Sequence, residues 1–208
     1  MLDKPVGLAS HGGSGLSYGA IEAMRVLRPR HELELIHRLD RDTSGLLMFA
    51  KKRSALREVQ RLIKEGQTIK EYQLLVHGRA PRDAFEVRAP LAKNLLSGGE
   101  RVVRVDADGK DALTRFRVVR QFANFTQLRA QILTGRTHQI RVHAQTAGLP
   151  IVGDRKYGNP ELDIAIQKLG FRRMALHAWQ LQFELQQETM RFGSGLPAEW
   201  QALLEQLD

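Results

Sequence analysis

Cysteine is absent from the 208 residues. That absence excludes disulfides, thiolate zinc sites, iron–sulfur clusters and cysteine nucleophiles together, and it fits a reducing compartment such as the cytosol. Long apolar runs are missing too. None approaches the roughly 18 residues a membrane-crossing helix needs, and the opening MLDKPVGLAS lacks the apolar centre of a secretory signal. The expectation is a cytoplasmic chain with no membrane partner. Aromatic side chains make up only 6%, which argues against a surface built mainly of base-stacking platforms. Acidic side chains are in the minority, with 23 Asp+Glu against 32 Lys+Arg, a formal net charge of +9.

What is present is globular in composition, 42% hydrophobic and 26% charged. The length suits one generous domain or at most two small ones, with a core of real size. The positive charge is uneven. Residues 1–104 carry 19 basic and 12 acidic side chains, and Arg25–Lys64 alone carries eleven basic against five acidic. A basic surface of this kind attracts polyanions, of which nucleic acid is the commonest in a cytosol, although excess lysine and arginine also serve plain solubility.

Along the chain there is no internal repeat, low-complexity tract or long linker. Leu2-Asp3-Lys4-Pro5 reads as the end of a strand whose beginning is absent, as in a fragment of a longer protein. Ser17 is placed to cap a helix carrying Ile21, Met24 and Leu27. Gly45–Lys51 reads as a short buried strand, and Ser54–Lys64 as a helix with Leu56, Val59, Leu62 and Ile63 on one face and cations on the other. The period then changes to two around Tyr72, Leu74 and Val76, around Phe116 and Val118, and from Phe125 to Leu133. Gly98-Gly99 and Asp108-Gly109 supply turns, the latter a hairpin signal. Gln139–Ala147 reads as a short helix stopped by Gly148, with Pro150 beyond. A last strand near Trp179–Leu185 precedes a helix from about Pro197 with Trp200, Leu203, Leu204 and Leu207 on its apolar side. Hairpin-connected strands with interspersed helices indicate an α+β fold with a largely antiparallel sheet, and the lack of βαβ alternation argues against a doubly wound nucleotide fold.

Two polar clusters stand out. The first is His37-Arg38-Leu39-Asp40-Arg41-Asp42-Thr43-Ser44-Gly45. Arg38 and Arg41 flank Asp40 and favour its carboxylate form, which suits either a catalytic acid or one half of an ordinary ion pair. The second is Thr134-Gly135-Arg136-Thr137-His138-Gln139-Ile140-Arg141-Val142-His143. Amides at a helix start, with Arg136 and Arg141, make a phosphate seat, while the plainer reading is a helix cap with surface arginines. Zinc is the weaker idea. His138 and His143 are five apart, so one helical face does not present both, and no carboxylate lies between them. Gly12–Gly19 lacks the Lys-Ser/Thr ending of a P-loop, and Ser44 lacks a Gly-x-Ser-x-Gly elbow. Tyr72, on an alternating strand, is by itself ordinary packing.

Taken together, His37-Arg38-Leu39-Asp40 with Thr43-Ser44-Gly45, Lys70-x-Tyr72, Gly135-Arg136-Thr137-His138-Gln139-Ile140-Arg141-x-His143 and Pro150-Ile151-x-Gly153-Asp154 resemble the RluA family of pseudouridine synthases. Order and spacing agree from Asp3-Lys4-Pro5-x-Gly7 to Leu176-His177-Ala178. The segments His11–Ser17, Lys51–Arg57 and Gly99–Val105 are similar to the RluC branch, which acts on large-subunit (23S) ribosomal RNA.

The resemblance implies residues 1–208 as one catalytic domain of pseudouridine synthase fold, with an S4-like RNA-binding domain ahead of it in the full-length protein. It implies an isomerase that detaches uracil from its ribose, turns the base and rejoins it through C5, acting on a base flipped out of the RNA. No cofactor or metal is implied, the partner is ribosomal RNA, and the chain is expected as a monomer. Asp40 falls on the catalytic aspartate, Arg141 on the arginine that pairs with it, and Tyr72 on the tyrosine that stacks on the target base. Leu176 falls on an apolar wall of the base pocket, and Arg38 on a residue that enters the gap left by the flipped base. His37, Arg41, Thr43, Arg136, His138 and Gln139 complete the expected RNA contacts. Two other classes compete: an RNA-binding module of the same fold without the chemistry, which predicts an interrupted site, and a metal hydrolase using His37, His138 and His143, which predicts loss of activity with a chelator.

Overall fold

The computed structural model describes residues 1–13, 18–95 and 101–207, which form two compact units. The first comprises residues 1–70 and 177–195, the second 71–176 and 196–208.

In the first unit, β1 (Leu2–Lys4) pairs antiparallel with β3 (Ser44–Leu47), Lys4 facing Gly45. Helix α1 (Ala20–Leu27) and the short strand β2 (Glu34–Leu35) lie between them in sequence. β2 pairs with β4 (Phe49–Ala50), after which comes α2 (Arg53–Lys64). The apolar run expected as one strand is thus two, interrupted at Met48, because its halves answer to different partners. β11 (Leu176–Leu185) runs parallel to β3 through His177 and Ala178, and β12 (Glu188–Gly193) folds back antiparallel on β11. The parallel pairing explains Gly45. Its φ is +103°, and a Cβ there would fall 2.3 Å from the Ala178 carbonyl oxygen, so only glycine fits.

The second unit holds a four-stranded antiparallel layer in the order β5 (Thr68–His77), β10 (Phe125–Ile132), β9 (Leu113–Gln121), β6 (Ala84–Arg88), the chain entering it within β5. Alternation in β5 gives way early. Gln73 through His77 are all buried, because both faces of the strand are covered. A separate pair, β7 (Leu91–Leu95) and β8 (Arg101–Val105), is followed by the Asp106–Gly109 turn, where the Gly109 amide donates to the Asp106 carbonyl at 2.9 Å. The Asp108-Gly109 signal therefore marks a real turn, but the chain returns to Leu91 through Lys110 instead of closing a hairpin between its flanking strands.

Helix α3 (Gln139–Thr146) ends as expected, with Gly148 at φ +72°. Helix α4 (Pro160–Lys168) is capped by Asn159, whose side chain accepts from the Glu161 and Leu162 amides, and α5 (Ala198–Gln206) starts after Pro197. The core of this unit gathers Leu74, Val76, Phe116, Leu128 and Ile151 around the fully buried Trp200 of α5. The fold is α+β with a mixed, mostly antiparallel sheet, β3–β11 supplying the parallel pair. Ser17, expected to cap α1, and the Gly98-Gly99 turn lie outside the described residues. Gly19 occupies the cap position, its amide donating to Glu22 Oε2 at 2.9 Å. Among the described residues, no helix is long and apolar enough to cross a membrane.

Candidate active site

The turn bearing Asp40 is held from below by the N-terminal loop. Ser10, buried, donates through Oγ to the Leu39 carbonyl at 2.8 Å and accepts from the Leu39 amide at 2.9 Å. One hydroxyl thus satisfies both backbone groups of the residue before Asp40. On the other side, the Arg41 carbonyl accepts from the Gly7 amide at 2.9 Å and from Lys4 Nζ at 3.0 Å. Lys4 has no exposed surface, and its ammonium also donates to the Pro5 and Leu8 carbonyls at 2.9 and 2.7 Å. Buried charge of this kind is tolerable because its donors are met by oxygen. The turn closes with the Thr43 amide donating to the Asp40 carbonyl at 3.1 Å. Asp40 itself is half-buried.

Around it, the expected RNA contacts divide by exposure. Arg38 and Arg41 are exposed, Arg41 with Asp42 at 3.4 Å. Thr43 is buried and serves the turn. His37 is half-buried, and its Nε2 accepts from the Met48 amide at 3.2 Å, an arrangement that needs the neutral ring. Burial, then the Lys70 ammonium, push His37 down to about 4, against a smaller upward effect of its hydrogen bond to the Arg38 backbone. Burial also lowers Lys70. Beyond the turn, Ser44 Oγ bonds His177 Nδ1 at 2.8 Å, and His177 Nε2 bonds Ser194 Oγ at 3.1 Å, so the strand leaving the site is tied to β11 inside the first unit.

The second unit carries Tyr72, Arg136, His138, Gln139, Arg141 and Leu176. Tyr72 lies opposite Ala130 on the core side of β5, and Leu176 is buried in the core cluster. Gln139 is buried with its amide fully used. Oε1 accepts from Thr134 Oγ1 and the Arg136 amide, and Nε2 donates to the Leu113 carbonyl and Thr114 Oγ1. It braces the entry to α3, while its neighbour Arg136 is exposed and donates to the Asp111 carbonyl. Of the three histidines named for the metal-hydrolase alternative, His37 is met by the Met48 amide, and the two of this unit are engaged with protein as well. His143, buried and lowered by that burial, bonds Thr114 Oγ1 and the Ala89 carbonyl, and His138 bonds Tyr157 Oη at 2.8 Å. Among the described residues no cluster of three or more His, Asp or Glu is arranged to hold a metal.

Arg141 is not a surface arginine. Its guanidinium forks side-on to Asp154, Nε to Oδ2 at 2.7 Å and Nη2 to Oδ1 at 2.8 Å, both side chains being buried. Burial works to raise the Asp154 carboxyl, but the hydrogen bonds and charge of Arg141, with the Lys156 and Tyr157 amides, hold it below the ordinary carboxylate value. Sequence reasoning placed Asp154 inside a motif without giving it a task. Its partner is 13 residues away around a turn, a separation with no periodic signature.

Comparison with known proteins places these features. The family pattern described as RNA pseudouridylate synthase matches residues 1–146. Ribosomal large subunit pseudouridine synthase C of Haemophilus influenzae is 48% identical over 210 residues, covering 100% of this chain and 65% of that protein. The Escherichia coli protein of the same name is 51% identical over 186 residues, covering 88% of this chain and 58% of its own length. The chain thus spans less than two thirds of these relatives. Among solved structures, human RNA pseudouridylate synthase domain containing 4 superposes with a TM-score of 0.81 at 26% identity, covering 98% of this chain and 87% of that one. Human RNA pseudouridylate synthase domain containing 1 shares the fold with a TM-score of 0.77 at 24% identity, covering 94% and 78%. With the pattern running unbroken through both the Asp40 turn and the start of α3, the chain belongs to the RNA pseudouridylate synthase family.

Proposed function

We propose that this chain isomerises uridines of large-subunit (23S) ribosomal RNA to pseudouridine. What carries the reading is the intact set of Asp40, Tyr72 and Arg141 in a sequence about half identical to relatives named for that activity. In this reading the N1–C1′ bond breaks, the uracil turns, and C5 bonds to C1′. The proton leaves C5 and N1 regains one, so the reaction balances without a cofactor. The Asp40 carboxylate either attacks the sugar or removes a sugar proton to give a glycal, and an ionised acid serves both routes. Arg141 pairs with Asp40 and orients it, Tyr72 stacks on the turned base and assists loss of the C5 proton, and Leu176 backs the base. Arg38 fills the gap in the RNA stack, an exposed position that suits the role. Because C5 loses its hydrogen, large-subunit RNA made with tritium at uridine C5 releases tritium as product forms. Enzyme-dependent release supports the proposal, and its absence at saturating enzyme contradicts it.

A further inference from the structure

Charges on one face of the four-stranded layer of the second unit fall into two unlike rows. Register sets Glu71 of β5 against Gln131 of β10, Gln131 against Arg115 of β9, and Arg115 against Glu86 of β6. The adjacent row runs Gln73, Arg129, Arg117, Ala84 across the same four strands. Both acids thus stand in the first row, where Arg115 Nε meets Glu86 Oε2 at 3.5 Å. The second row sets two arginines directly opposite each other, with a glutamine and an alanine as their outer neighbours. Successive residues of a strand point to opposite faces, so these side chains lie on the side of β5 and β10 away from Tyr72 and Ala130. Toward β5, Gln73 is buried and accepts from Gln127 at 3.1 Å; toward β6, Arg117 and Ala84 are exposed. A groove of about 520 Å³ opens here, lined by the three arginines with Glu71, Glu86 and Gln131.

Like charges directly opposite on a sheet destabilise it, and the small Ala84 beside Arg117 leaves room for an anion to lie against the pair. Guanidinium forks match phosphate oxygens in shape as well as charge. The two rings at the groove, Phe85 and Phe116, stack on each other at 5.1 Å and pack into the core, so the groove offers a strand its cations instead of a stacking surface. Such contacts hold a backbone without reading its sequence. We propose that the Arg117–Arg129 row seats a phosphodiester of the ribosomal RNA, as a second RNA-contact surface on the face of the sheet opposite Tyr72. Arg115 stands beside it for a neighbouring phosphate, since an exposed ion pair such as the one with Glu86 is weak and exchanges readily. The proposal takes RNA as the substrate from the proposed function and requires no chemistry at Asp40, so it is tested by binding.

The 208-residue chain and its variants are titrated with unmodified 23S ribosomal RNA between about 50 and 200 mM salt. Arg117→Gln with Arg129→Gln is expected to reduce the slope of log K against log salt by about 1 to 2, with kcat at saturating RNA unchanged. Proximity is read separately. Because the chain has no cysteine, Ala84→Cys carries a single thiol-linked benzophenone into the groove. Irradiation is expected to crosslink it to the RNA, and to do so far less once both arginines are glutamine. An unchanged slope overturns the proposal. A reduced slope without crosslinking overturns it too, since the arginines then act only through the long-range field. Arg117→Gln alone relieves the facing charges, so its melting temperature should match or exceed wild type. Should the double variant not fold, this single one decides, by a slope lower by about 1 or by none. If RNA binds and crosslinks as expected but no pseudouridine forms, the groove stands and the proposed isomerisation fails.

Discussion

At the scale of single residues, the chemistry proposed for Asp40 depends on the neighbours that hold its turn in place. Ser10 holds both backbone groups of Leu39 with one hydroxyl. Ser10→Ala leaves a buried N–H and C=O without that partner, at a cost of about 1–3 kcal/mol. The expected outcome is a lower melting temperature together with lower kcat, the RNA Kd staying near wild type. An unchanged kcat separates the clasp from the active site. His37 makes a pH prediction. Its value in the folded chain, about 4, lies below the ordinary 6.5, so between those values the unfolded chain binds the extra proton. Its contribution to stability is therefore complete above pH 6.5 and is lost as pH falls toward 4, with a ceiling of about 3 kcal/mol. His37→Gln offers the Met48 amide an oxygen that does not titrate, so melting temperature should fall less steeply over that window. Parallel profiles for the two proteins argue against a neutral, buried imidazole.

Secondary elements show where local signals in the sequence suffice and where they do not. The Pro197 helix, the stop of α3 at Gly148 and the strand around Tyr72 were readable because capping, glycine and periodicity are local. β12 was not readable, since its hairpin turns through Gln186 and Gln187 at φ +52° and +67°, where Asn-Gly is the usual signal. Replacing Gln186-Gln187 by Asn-Gly should therefore stabilise the protein by about 0.5–1 kcal/mol, and a lower melting temperature contradicts the assigned turn. α4 escaped although Asn159-Pro160 announces it, because Leu162 and Ile164 on its surface are exposed and blur the apolar face. Within the candidate site, motifs named the residues and, through the resemblance, Asp40 as the partner of Arg141, but not the Asp154 fork. Arg141 read equally as a phosphate seat or a capping surface cation, and only the Asp154 fork shows it buried and bound. Gln139, assigned to RNA by its motif, turns out to spend every hydrogen bond on the approach to α3. Gly45→Ala should be costly, more than about 3 kcal/mol, because the strain of a positive φ adds to a collision with Ala178 across the β3–β11 pair.

For the whole molecule, charge is the property that composition reported directly. The excess of +9 is concentrated in Arg25–Lys64, and α2 displays Arg53, Arg57 and Lys64 to solvent. Arg61 on the same helix is already met by Glu58 at 2.8 Å and by Glu65, so it has less to give a phosphate. RNA binding should weaken steeply with salt through counterion release, and Arg53→Gln with Arg57→Gln should reduce the slope of log K against log salt by about 1 to 2. A flat salt response contradicts this surface as the RNA face. In the proposed function one aspartate, on a turn clasped by Ser10 and Lys4, rebuilds the bond between uracil and ribose. Carbodiimide mapping of unmodified 23S ribosomal RNA after incubation with wild type and with Asp40→Asn tests it most directly. New pseudouridines are expected at defined positions with wild type and none with Asp40→Asn, at RNA affinity within a few-fold. Isomerisation by the Asp40→Asn protein at the wild-type rate contradicts it.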